Sequence, residues 1–149
     1  MYKPFNTVGH KMSNTMKVLI KAAIKSMKES KDKLGTGLAH TVMTKGDSLS
    51  SCYADDFPNK DMYFTAINMM RHNFLPEVEV LVSEGYIGSP DDMNGYEKLS
   101  DNPESTEILS ITAKEENGIY HGLAIIKKNK IGEVMWIQVD GVGGKAFDC

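Results

Sequence analysis

The 149-residue chain is 41% hydrophobic and 25% charged, with a formal net charge of −3 and two cysteines. That size fits one globular domain with a single core, and no apolar run approaches the roughly 18–20 residues that a membrane span needs. Mild acidity argues against bulk attraction to nucleic acid; Cys52 and Cys149 make neither a zinc pattern nor a disulfide framework, so free thiols, no metal and no cofactor are expected.

Residues 1–13 lack periodicity and contain Pro4 and Gly9, which predicts an N-terminal arm. They also lack the apolar stretch of about 7–15 residues that marks a secretory signal, so a cytoplasmic location is expected, that of the host cell if the protein is viral. Ser13 or Asn14 then caps a helix through about Lys33, in which Met16, Leu19, Ile20, Ala23, Ile24 and Met27 recur at helical spacing and Gly35 supplies the stop. Its outer face carries Lys17, Lys21, Lys25 and Lys28, a ladder of like charge. A solvated face is the plain explanation; a phosphate-facing stripe, with Lys21 and Lys25 at its centre, is the functional one. No aromatic residues interleave to stack bases, which disfavours nucleic acid.

Alternation predicts a strand over 37–44 and another over 49–54, joined by the Gly-containing turn Lys45–Ser48. Asn59 caps a second helix to about Asn73, with Met62, Ala66, Ile67 and Met70 as its apolar stripe and the methionines as core filling. Val78, Val80 and Val82 then alternate with Glu77, Glu79 and Leu81, the pattern of a central strand with one buried face. Residues 85–106 are crowded with Gly, Pro, Asp and Asn, and a connection of that length is most often functional or disordered. Strands over 107–113, 119–127 and 131–140 close a meander through two tight turns, and the Gly-rich stretch 141–149 reads as a flexible tail.

The element order αββαββββ predicts an α+β fold: residues 14–140 as a single domain, with an antiparallel sheet of about six strands carrying both helices on one face. The order is that of profilin-like and roadblock domains, by topology only.

Catalytic patterns are sparse. His10, His40, His72 and His121 lack metal-ligand spacing, no serine sits in a nucleophile elbow, and Gly141–Ala146 lacks the residues of a phosphate loop. Trp136 reads as a packing residue. The informative residue is Glu84, a carboxylate that continues the apolar parity of Val78, Val80 and Val82 as the chain leaves the strand, with Ser83 before it and Tyr86 beyond. A charge in that place emerges at a rim or meets a buried donor.

The stretch Val82-Ser83-Glu84-Gly85-Tyr86 resembles the Val-Ser-Glu-Ala-Trp signature of an uncharacterised family found in bacteriophages and other mobile elements, and the resemblance extends over roughly residues 37–139. It implies a phage or mobile-element origin and carries no established activity. Ser83, Glu84, Tyr86, Lys21 and Lys25 are accordingly the candidate contact residues. The leading expectation is a small non-catalytic accessory protein that binds a host or defence protein through the 84–106 region. The alternatives are a protein that binds or sequesters a nucleotide or cyclic nucleotide, and a hydrolase using Glu84.

Overall fold

The computed structural model describes residues 12–87, 106–116 and 118–139. Helix α1 spans Asn14–Leu34. Ser13 opens it, its hydroxyl accepting from the Met16 amide at 3.1 Å, and Gly35 closes it at φ 78°, the left-handed conformation for which glycine is suited. Strands β1 (His40–Lys45) and β2 (Ser48–Tyr53) form a hairpin, whose turn is held by the Gly46 amide donating to Glu77 Oε1 at 2.6 Å. A short 3₁₀ turn, Ala54–Asp56, leads to helix α2, Lys60–Phe74. Asn59 caps that helix by accepting from the Met62 amide. Strands β3 (Val78–Ile87), β4 (Thr106–Glu115) and β5 (Gly118–Lys127) follow.

The strand expected over 131–140 is split in two: β6 (Lys130–Ile131) and β7 (Met135–Val139) both pair with β5. Between them Gly132 donates to the Ile125 carbonyl at 2.9 Å, so residues 132–134 bulge out of the ladder. The β5–β6 turn places Lys128 and Asn129 at φ 50° and 66°, the two-residue hairpin geometry that matches sheet twist. The sheet is antiparallel throughout, ordered β2-β1-β3-β4-β5 with β6 and β7 sharing the far edge. The fold is thus the expected α+β domain, with β3 central and flanked by β1 and β4.

The helices do not share a face. Alternation along β3 sends Val78, Val80 and Val82 into the core with Met16, Leu19, Ile20, Ala23 and Met27 of α1. It sends Leu81 to the other side, where Met43 of β1 meets Tyr63 and Ile67 of α2. The prediction of both helices on one face therefore fails, because β3 is buried on both sides. Alternation predicts one buried face, with Glu79 and Leu81 opposite it, yet Glu79 is buried as thoroughly as the valines. The stripe of α2 also differs from expectation: Tyr63 and Ile67 are buried, while Met62 and Met69 are exposed. On α1, each fully buried Met or Leu contributes roughly 1.5–3 kcal/mol, and Lys21, Lys25 and Lys28 stay in water. Trp136 is buried in the α1 core, as a packing residue should be.

Met12, at the end of the expected arm, is buried in the same core, and the Ser13 amide donates to Glu115 at 3.0 Å. The rest of the arm, the 141–149 tail and most of the 85–106 connection lie outside the described residues. Among the described residues, no helix is long and apolar enough to cross a membrane, and no group of three or more His, Cys, Asp or Glu is placed to hold a metal ion.

Candidate functional site

Glu84 lies on the α1 side of β3, two residues beyond the last position paired with β1. At that point the chain leaving α1 folds over the strand. Glu84 Oε1 accepts from the Gly37 amide at 2.6 Å and from Thr36 Oγ1 at 3.1 Å, and Oε2 accepts from Lys31 Nζ. Lys31 is 2% exposed and Glu84 14%. A second carboxylate, Glu107 on β4, stands 3.7 Å from the same ammonium. The Lys31 carbonyl accepts in turn from Asn129 Nδ2 at 3.0 Å, so one lysine joins α1 to β3, β4 and the β5–β6 turn. Gly37 is closely packed: a Cβ there would sit 2.7 Å from Met27 Cε and 3.1 Å from Glu84 Cδ, so the Met27 tip and the Glu84 carboxyl would have to give way.

Glu84 therefore has its donors, and they come from the last turn of α1 and from the α1–β1 connection. Three hydrogen bonds to charged-form oxygens are the satisfaction a mostly buried carboxylate requires. They also take up three of its roughly four acceptor positions, leaving little that a general base would offer to a substrate. Tyr86, next on the same side of the strand, is exposed and donates to Glu107 Oε2 at 3.3 Å. Modest burial, the Glu107 charge and its hydrogen bond all push the phenol up, so Tyr86 is protonated at neutral pH. Ser83 points to the opposite face, directly across from Ser110. Glu84 and Tyr86 are thus brought together, Ser83 is on the other side of the sheet, and Lys21 and Lys25 are exposed on α1.

Sequence reasoning missed Lys31. It also missed a second ion pair on the other face, where the half-buried Arg71 of α2 grips the buried Glu79 with two hydrogen bonds of 2.8 Å. Beside that pair lies a cleft of about 580 Å³ lined by Arg71, Leu75, Glu77, Glu79, Lys114 and Glu115; its central guanidinium and carboxylate already satisfy each other. Cys52 is no better placed for chemistry, since burial first and Asp56 second push its thiol above the usual 9.0 and keep it protonated.

The remaining feature is a surface. Among the described residues, helix α2 covers β2, β1 and part of β3, and no other helix lies over the rest of its face of the sheet, on which Ile108 is buried and Leu123 and Ile125 are exposed. One cross-strand row there runs Ser83, Ser110, Leu123, Met135, and the next runs Gly85, Ile108, Ile125. On the other side of the first row, Thr112 Oγ1 and His121 Nδ1 lie 3.3 Å apart. Burial holds the His121 ring below the ordinary histidine value of 6.5, so it is neutral at pH 7. No position in these rows carries a charge. Ile125 is 45% and Met135 68% exposed, and Ile87 and Leu123 join them at the surface. Lys114 and Lys127 bound the patch at opposite ends of β4 and β5.

Comparison with protein-family models, with curated proteins and with solved structures returns no match.

Proposed function

We propose that the protein acts by contact and not by catalysis, binding another protein through the open face of β3, β4, β5 and β7. The observation that supports this reading is the pair of uncharged rows that expose Leu123, Ile125 and Met135 side by side, with Ile87 exposed farther along the same face. A quarter of this chain is charged, and an apolar sheet face of this kind on such a chain is a protein-binding feature. The lysines at its ends favour a partner surface with an apolar centre and an acidic rim. The resemblance of Val82–Tyr86 to a phage and mobile-element family supports a host or defence protein as the class of partner.

The saturated Glu84 carboxylate weighs against the hydrolase, and Lys21 and Lys25 stand on the exposed helix face, not in a concavity that would enclose a nucleotide. The test compares the wild type with Leu123→Lys and Ile125→Lys, each verified as folded by circular dichroism, in capture from host cytoplasm. A partner held in fixed stoichiometry by the wild type and by Lys21→Ala, and lost by both lysine variants, is the expected result. A partner retained by both lysine variants, or a melting temperature raised by nucleotides or cyclic dinucleotides through mass action, overturns the reading.

A further inference from the structure

His121 is set into the sheet face proposed to hold a partner. Its row runs Leu81, Thr112, His121, Ile137 and lies next to the row of Ser83, Ser110, Leu123 and Met135. It therefore stands between the open part of the face and the part that α2 covers at Leu81. Alternation along β5 puts it on the same side as Leu123, two residues on. The ring is half-buried. Thr112 Oγ1, 3.3 Å from Nδ1, is its hydrogen-bond partner among the described residues, so Nε2 depends on water. The charges around it offer an imidazolium nothing. On its side of the sheet β4 and β5 carry Lys114 and Lys127 and no carboxylate, and β7 has no charged residue. Glu79 of β3 faces this side as well, but Arg71 of α2 already grips it.

We infer that His121 makes occupancy of this face acid-sensitive: an apolar partner seated over Leu123 and Met135 is held while the imidazole is neutral and released when it takes up a proton. The inference rests on the reading that this face binds a partner, and adds the regulation of that site. A partner that covers Leu123 strips water from the neighbouring ring. A neutral ring tolerates this, whereas an imidazolium needs acceptors for two N–H groups and Thr112 supplies one. Histidine is the side chain whose ordinary pKa brings such a change between pH 5 and 8, and burial already holds this ring below 6.5. Docking removes more water and disfavours the charged form further, so the free chain binds the extra proton. Affinity is then independent of pH above the free chain's pKa. Below it, affinity falls by up to about tenfold per pH unit for as long as the bound ring stays neutral.

Host cytoplasm passed over the immobilised full chain at a series of pH values from 7.5 to 5 tests it. The wild type is compared with His121→Gln and His121→Asn, and with His72→Gln as a control at an exposed histidine, each verified as folded by circular dichroism at every pH. The wild type and His72→Gln are expected to hold the partner at pH 7.5 and to lose it at the acid end. The two neutral variants should hold it further down, so that the amount they retain relative to wild type rises from about equal to about tenfold. The His121 ring protons, followed by NMR, should titrate at lower pH in the complex than in the free chain. A partner lost at the same pH by the wild type and by both neutral variants, or a ring that titrates alike free and bound, overturns this inference and leaves the partner face standing. A wild type that captures nothing at any pH, or a partner indifferent to Leu123→Lys, overturns the face and this inference with it.

Discussion

Removing the Glu84 charge should be more damaging than removing its partner's. In Glu84→Gln the ammonium of Lys31 stays where it is, 2% exposed, with only Glu107 at 3.7 Å to balance it. Stranding a buried charge costs roughly 3–5 kcal/mol, and the residual Glu107 attraction puts the expectation at the lower end, about 3 kcal/mol. Lys31→Met removes the buried charge and keeps the aliphatic stem's volume. Glu84 is then left with Thr36 and the Gly37 amide and with some access to water, so the loss is that of one charge-assisted hydrogen bond, about 1.5–2 kcal/mol. The double variant strands nothing and should be more stable than Glu84→Gln alone. Urea unfolding followed by circular dichroism reads all three. With a slope of about 1.5–2 kcal/mol/M, Glu84→Gln should lower the midpoint by about 1.5–2 M. Equal costs for the two single variants, or a double variant as unstable as the sum of both, would refute the clasp.

Gly37→Ala drives a Cβ against Met27 Cε and the pinned Glu84 carboxyl and should cost about 1–3 kcal/mol by overpacking, read from the same urea curves. Ile20→Ala, in the α1 core, should cost about 2–5 kcal/mol, against less than about 0.5 kcal/mol for the exposed Lys21→Ala. Because the folded protein holds His121 below its unfolded value near 6.5, the unfolded chain binds the extra proton. The contribution of neutral His121 is therefore complete above that pH and is lost as pH falls below it. The difference in urea midpoint between wild type and His121→Gln should accordingly change between pH 7.5 and pH 5, and a pH-independent difference would count against a desolvated ring. Burial pushes the Tyr63 phenol up to about 12, against its hydrogen bond to Thr41, which lowers it; spectrophotometric titration should find a late-ionising tyrosine step that Tyr63→Phe removes.

Periodicity and turn chemistry made the element order legible, down to the Ser13 and Asn59 caps and the Gly35 stop. The faces were less so. Glu77 and Glu79 on either side of Val78 read as a wet face, and nothing local to 77–81 says that Arg71 will come down on Glu79. The bulge at 132–134 was hidden for a different reason: Gly132 alone does not distinguish a kink from a flexible turn, and only the ladder to β5 shows both halves paired.

The buried pairs had a signature after all, and it lies in two elements at once. Lys31 follows Ile20, Ile24 and Met27 at spacings of four, three and four, which puts it on the apolar stripe of α1 and not on the ladder of Lys17, Lys21, Lys25 and Lys28. Glu84 continues the parity of Val78, Val80 and Val82 in the same way. On the other face Arg71 follows Tyr63 and Ile67 at spacings of four, and Glu79 shares the parity of Leu81. Each helix thus carries one cation at the end of its core stripe, and β3 carries one anion on each of its two faces. A charge on a core stripe must find its opposite when the stripes pack. Two such pairs on opposite faces of one strand also fix which helix covers which face. Exchanging the helices would set each cation at the wrong end of β3, since Glu79 and Glu84 are five residues, about 17 Å, apart along the strand. That constraint favours this packing over its alternatives by penalising the others, and it accounts for a lysine buried to 2% without assigning it any chemistry.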